Sequence, residues 1–172
     1  MRGHGYYRPV WTYPFRQAIE AIPCDLRQFT FVDYGSGKGK ALLLASEYPF
    51  EEIVGVEFAR PLHEAAVRNV ERYSSPRQRC RAIRSVCMDA RTFDPPERPL
   101  VCFFFNPFDE ATLAATLERV HASVRRHPRE AFIVYVNARH VAEQGRVFRR
   151  PYLRRVAAEL LFLIYTCSGL VV

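Results

Sequence analysis

Short apolar runs recur along the chain, and the stretches between several of them carry helical spacing. Thr12 to Ala21 mixes apolar and polar residues at helical spacing until Pro23 ends it. Phe29 to Asp33 is a short apolar run and predicts a strand. Gly35 to Gly39 reads as a turn, and Lys40 to Glu47, rich in leucine and alanine, as a helix. Ile53 to Glu57 predicts a second, buried strand. Pro61 to Tyr73 predicts a helix with proline at a favoured first position. Its apolar members Leu62, Ala65, Ala66, Val67 and Val70 share one face. Cys80 to Cys87 alternates only in part and predicts a weaker strand. Leu100 to Phe105, the most apolar run, reads as a central strand buried on both faces. Asp109 is placed to cap a helix that lasts to Arg126. Ala131 to Val136 is the fifth strand and Leu160 to Thr166 a further one. Tyr152 to Ala157 reads either as a short strand or as the end of a helix.

Strands that alternate with helices imply parallel pairing through crossovers. The expected fold is α/β, a Rossmann-like open and mostly parallel sheet with helices on both faces. Ligands in such sheets bind beyond the carboxyl ends of the strands. Those ends carry Asp33, Glu57, Met88-Asp89-Ala90, Asn106 and Asn137. Any one could cap a helix. A helix-packed sheet needs none of them for its core, and together they favour a ligand cleft.

The chain of 172 residues suits one domain. Within it, 1–28 reads as an N-terminal segment, 29–137 as a cofactor-binding core and 138–172 as C-terminal strands. Hydrophobic residues at 49% and charged residues at 25% argue against disorder. No apolar run has the length of a membrane span, and the N-terminus lacks the apolar centre of a signal peptide. The five cysteines are odd in number and form no CxxC pair, so neither a disulfide frame nor a zinc or other metal site is expected. A reducing, cytoplasmic setting follows as the expectation. The formal charge is +7, and all basic residues but Lys38 and Lys40 are arginine. This admits a nucleic-acid partner or an arginine-rich solvated surface. No aromatic-interleaved stripe along the chain points to base stacking.

The sharpest chemical signal is Asp33-Tyr-Gly-Ser-Gly-Lys-Gly39. A phosphate-binding P-loop needs GxxxxGK followed by Ser or Thr, and residue 40 is lysine where that register wants glycine. The dinucleotide fingerprint GxGxxG also fails, because the third glycine comes one residue early. The observed DxGxGxG resembles the first motif of the class I S-adenosylmethionine-dependent methyltransferases. The resemblance spans about 29–137. It implies a seven-strand sheet, with a C-terminal hairpin that the short tail makes tight or abbreviated. It also implies S-adenosyl-L-methionine as cofactor. Asp33 would position the methionine end beside the backbone of Gly35, Ser36, Gly37 and Gly39. Glu57 would hold both ribose hydroxyls, with Phe58 packing on the adenine. Asp89 would meet the adenine amino group, with Met88 and Ala90 beside it.

The fourth strand ends in Asn106-Pro107-Phe108, which resembles the [DN]-P-P-[FYW] motif of enzymes that methylate planar nitrogens. This places Asn106, Pro107 and Phe108 as candidate catalytic residues, with Asn106 also near the cofactor methyl. The single proline departs from that motif and leaves adenine or glutamine methylation unassigned. Taken together, DYGSGKG, VGVEF and FFFNPFDE look like a group of small bacterial methyltransferases. The expected acceptor is a protein side chain or a small molecule. A nucleic-acid methyltransferase and a non-catalytic cofactor-binding module are the alternatives, and a nicotinamide enzyme is the rival outside the family. No Ser-His-Asp order or HExxH appears; His63 and His140 flank strand ends as candidate bases or as packing residues. The aromatic segment from Tyr6 to Phe15 reads as a lid over the cofactor or as a strap sealing one face of the sheet.

Overall fold

The computed structural model describes residues 8–137, 146–159 and 161–168. Helix α1 (Thr12–Glu20) and a short 3-10 turn (Leu26–Gln28) precede strand β1 (Thr30–Tyr34). Then follow α2 (Lys40–Ala45), β2 (Glu52–Glu57), α3 (Arg60–Arg72), β3 (Ile83–Cys87), β4 (Leu100–Phe105), α4 (Glu110–Arg126), β5 (Ala131–Val136), β6 (Leu153–Ala158) and β7 (Phe162–Cys167). The seven strands form one open sheet in the order β3-β2-β1-β4-β5-β7-β6. β1 to β5 are parallel, and β7 runs antiparallel between β5 and β6. The Rossmann-like α/β fold expected from the alternation is therefore the fold observed.

Period-two alternation sends side chains of the central strands to two different cores. Val32, Tyr34, Leu100, Cys102 and Phe104 face Leu113, Leu117, Val120 and Val124 of α4. Phe31, Val101 and Phe103 face Phe15 and Ile19 of α1 and Leu42 of α2. Burial on both faces explains why β4 and β5 read as near-continuous apolar runs. The cover is unequal. Among the described residues, α1, α2 and α3 lie on one face and α4 on the other. Residues 88–99, between β3 and β4, contain no helix. Pro95, Pro96 and Pro99 oppose one there, and Phe93 fills the gap with its ring 6.1 Å from that of Tyr34.

Most element ends shift by one or two residues from the sequence expectation, and three points change the picture further. β3 starts at Ile83, not Cys80, because the amides of Arg79 and Cys80 both donate to Ser46 O instead of joining the ladder. The stretch read from Tyr152 to Ala157 as strand or helix end is strand from Leu153 on: β6 pairs with β7 from Leu153↔Cys167 onward. The hairpin is not abbreviated: β6 and β7 have six residues each. It is tight, with Glu159 N donating to Phe162 O at 2.9 Å. At the outer edge, Arg154 and Arg155 are exposed and a register shift follows Arg155, both of which discourage further strand pairing. No helix among the described residues is long and apolar enough to cross a membrane.

α4 begins as expected. Asp109 accepts a hydrogen bond from Thr112 N at 2.8 Å, and that bond holds its carboxyl below the usual carboxylate range. Asp109→Ala is expected to cost about 1 kcal/mol. The cost should appear in urea unfolding at neutral pH with an unchanged slope. It should fade on acidification, because a carboxyl with a depressed native pKa stabilises only while ionised.

Candidate site at the carboxyl ends of the strands

β1 connects to β2 on one side of the sheet, while β4 pairs with β1 on the other, so a crevice opens beyond the ends of β1 and β4. The glycine turn lies across it. Gly35, Gly37 and Gly39 all have positive φ, at 80°, 54° and 83°. Gly35 is further constrained by its neighbour: a Cβ there would stand 2.6 Å from Pro107 Cβ. At Gly39, a Cβ would stand 3.1 Å from Ala66 Cβ, so the third glycine lets α2 and α3 approach.

Glu57, at the end of β2, reaches back to this turn. Its Oε2 accepts from Gly37 N and its Oε1 from Ala59 N, each at 2.8 Å. The carboxylate is thereby fixed, and each oxygen keeps a lone pair for a further donor. Asp33 lies on the same face of the neighbouring strand, level with Gly55. It is only 4% exposed. Burial first, and the Glu57 charge second, push its carboxyl up to about 8. A cation beside Asp33 would reverse that cost and restore the ionised form. Ser36 Oγ is also buried and has no hydrogen-bond partner among the described residues. A Cβ on Gly55 would stand 2.7 Å from it, so Gly55 leaves room for the hydroxyl. A buried neutral carboxyl and an orphan hydroxyl in one crevice are polar groups that a core would not carry without a partner.

On the β2 and β3 side, Phe58 is 75% and Met88 40% exposed. Asp89 stands next to them with both oxygens engaged by the Arg91 guanidinium, which holds its carboxyl below the usual range. The Ala90 side chain packs into the core on the α4 face.

On the β4 side, Asn106 takes φ 45° and turns the chain so that Pro107 lies against Gly35. Phe108 lies beside Gly35 and packs edge-on against Phe104, ring centroids 6.5 Å apart. Asn106 Oδ1 accepts from the hydroxyl of Tyr135 at 2.9 Å. Asn137, at the end of β5, is the other non-glycine residue with positive φ among the described residues. Tyr135 has no counterpart in the sequence reading. Its one sequence signal is a hydroxyl inside an otherwise apolar run, which needs a partner when buried.

His63 Nδ1 lies 2.8 Å from Ser85 Oγ, in the middle of β3, and so anchors α3 to the sheet. His140, Tyr6 and Tyr7 lie outside the described residues. α1 itself is a strap, with Phe15, Ala18 and Ile19 buried. Trp11 and Tyr13, at its start, are 53% and 68% exposed. Next to the start of α4, Glu110, Ala111, Ala114, Arg146, Val147 and Arg150 line a cleft of about 380 Å³. No three His, Cys, Asp or Glu side chains among the described residues are grouped to hold a metal ion.

No family model matches the chain, and no curated protein matches it in sequence. Solved structures share its fold. It is similar to a SAM-dependent methyltransferase from Aquifex aeolicus, with a TM-score of 0.66 at 11% identity, covering 91% of this chain and 89% of that one. It is also similar to an RNA methyltransferase from Salinibacter ruber solved with S-adenosyl-L-homocysteine, with a TM-score of 0.59 at 16% identity, covering 94% and 93%. A ribosomal protein L11 methylase from Lactobacillus delbrueckii subsp. bulgaricus has a TM-score of 0.59 at 12% identity, covering 95% and 91%. At these identities the likeness establishes the fold.

Proposed function

We propose that the chain binds S-adenosyl-L-methionine and transfers its methyl group to an acceptor held over the ends of β1 and β4. The observation that carries this reading is the pair of buried carboxyls on one face, Asp33 and Glu57, bridged by the DxGxGxG turn. Their chemistry fits the two ends of that cofactor. Asp33, held neutral by burial, regains its charge opposite the cofactor's ammonium. Glu57, already fixed by Gly37 and Ala59, has the two remaining lone pairs that a ribose diol needs. Phe58 and Met88 supply apolar walls for the adenine. Asp89 reaches the adenine amino group only by sharing its oxygens with Arg91. When bound, the cofactor would supply a sulfonium methyl whose carbon an acceptor lone pair attacks in line, the C–S bond electrons leaving with sulfur as a neutral thioether.

The chain's own contribution is alignment and exclusion of water. Asn106, Pro107 and Phe108 stand against the glycine turn, where acceptor and methyl would meet. Asn106 is oriented by Tyr135. A protein side chain or small molecule, a nucleic acid, or binding without transfer are the readings the site admits for the acceptor end.

Calorimetric titration tests the proposal. S-adenosyl-L-homocysteine is expected to bind and NAD not to bind. Glu57→Ala should weaken the first by about 30-fold or more, since it removes charge-assisted hydrogen bonds. NAD binding with no response to S-adenosyl-L-homocysteine would sink the assignment.

A further inference from the structure

The turn after β3 is tied to the end of β2, where Glu57 stands. The Glu57 carbonyl accepts from Met88 N at 3.1 Å, which sets Asp89 one residue beyond that tie. Phe58 and Met88 are both exposed there, and Asp89 follows them as the polar group of that rim.

Asp89 is held at both of its ends. Its carbonyl accepts from Thr92 N and Thr92 Oγ1 at 3.0 Å and from Phe93 N at 3.2 Å, and the buried Phe93 ties that turn to the core. Its carboxylate is clasped by a single residue, Arg91. Oδ1 accepts from the Arg91 amide at 2.9 Å and from Nε at 3.0 Å. Oδ2 accepts from Nη2, with Nε at 3.1 Å. An exposed ion pair of this kind adds little to stability. Its consequence is geometric. The planar guanidinium fixes both oxygens together, which a flexible point charge would not do.

An ionised carboxylate has about four acceptor sites and no donor. The Arg91 amide, Nε and Nη2 bring three protons to Asp89. About one site is left, in a fixed direction, and it suits one N–H donor. Bound S-adenosyl-L-methionine would offer that donor as the amino group of its adenine.

We infer that Arg91 is a positioning residue for the purine end of the cofactor, holding the Asp89 carboxylate in the one orientation that selects a purine carrying an amino group. This deepens the cofactor reading above and rests on it. Arg91 acts through Asp89 and touches no reacting atom.

Calorimetry compares S-adenosyl-L-homocysteine with its deamino analogue, in which hydrogen replaces the adenine amino group. The wild-type protein should prefer the first by about tenfold or more, the effect of one hydrogen bond to a charged group. Arg91→Ala should weaken S-adenosyl-L-homocysteine about fivefold, because a carboxylate free to rotate must then be ordered on binding. It should leave the deamino analogue unchanged, with circular dichroism confirming the fold. Arg91→Lys keeps the charge but loses the fork, and should behave like the alanine variant. In an Asp89→Ala background, Arg91→Ala should have no further effect. An unaltered or raised affinity for S-adenosyl-L-homocysteine in Arg91→Ala overturns the inference, and so does an equal loss for both ligands. Full rescue by lysine, or an effect of Arg91 that persists without Asp89, overturns it as well. Wild-type binding of S-adenosyl-L-homocysteine with an unchanged preference in Arg91→Ala removes this inference alone. No wild-type binding of that ligand removes the cofactor reading and this inference with it.

Discussion

Asp33→Asn is expected to stabilise the free protein at pH 8 while abolishing its affinity for S-adenosyl-L-homocysteine. Asp33 is buried, and its carboxyl is raised from 3.8 to about 8 by desolvation and by Glu57. Its contribution to stability is fully present below pH 4, where both folded and unfolded chains hold the proton. Between pH 4 and 8 the unfolded chain ionises and the folded chain does not, so stability falls as pH rises and levels off above 8. The slope for one such group approaches about 1.4 kcal/mol per pH unit, and structural relaxation reduces the total. A gain of about 2 kcal/mol for the asparagine variant at pH 8, shrinking toward pH 4, is the expected result. Urea unfolding at several pH values reads it directly. Parallel pH profiles for the two proteins would show that Asp33 is not held neutral.

The same shift governs binding. An ammonium group pairs with ionised Asp33, so affinity should rise up to about tenfold per pH unit from pH 6 to 8 and then flatten. The variant should show neither the affinity nor the slope. A site that is less stable when empty than its neutral replacement is the usual cost of a binding carboxylate in a core.

Gly35→Ala should have a large effect for the addition of a single methyl. The position has φ 80°, which costs an alanine about 1–2 kcal/mol. The new Cβ would also stand 2.6 Å from Pro107 Cβ, a contact that neither backbone can relieve by a rotamer change. A total loss of about 3 kcal/mol would lower the melting temperature by about 6–12 °C for a chain of this size. Because the displaced residue is Pro107, cofactor affinity should fall together with stability. Adding Pro107→Gly removes the opposing Cβ. The double variant should therefore recover the clash component and leave the φ component, a coupling of about 1–2 kcal/mol in a double-mutant cycle. Strict additivity would show that the two loops do not touch.

Much of the scaffold was legible before any coordinates. The runs that became β1, β2, β4 and β5 were readable because burial on both faces favours mostly apolar sequence, broken in β1 by Thr30 and Asp33 and in β2 by Glu52 and Glu57. The capped start of α4 was readable because Asp109 acts on an amide three residues away. Edge strands were harder. β3 and β6 are half exposed, carry arginines and lack a clean period, so their bounds came from pairing partners elsewhere in the chain.

The candidate site divides along the same line. Asp33, the alternating glycines and Glu57 are recognisable from residue type and spacing, because one continuous turn and two strand ends make that half of the crevice. Lateral strand order supplies the other half. It places Asp33 beside Gly55, sets Pro107 on Gly35, brings Tyr135 to Asn106 and stands Trp11 against Phe105. The residues of each pair lie 22 to 94 positions apart. Local periodicity carries no information about such pairs, since it records which face of an element is buried and not which element lies next to it. The linear chain thus specified the elements and the carboxyl-and-glycine half of the crevice. The packing of β4 between β1 and β5 brought the Asn106 half to it, because contacts between non-adjacent segments exist only once the strand order is set.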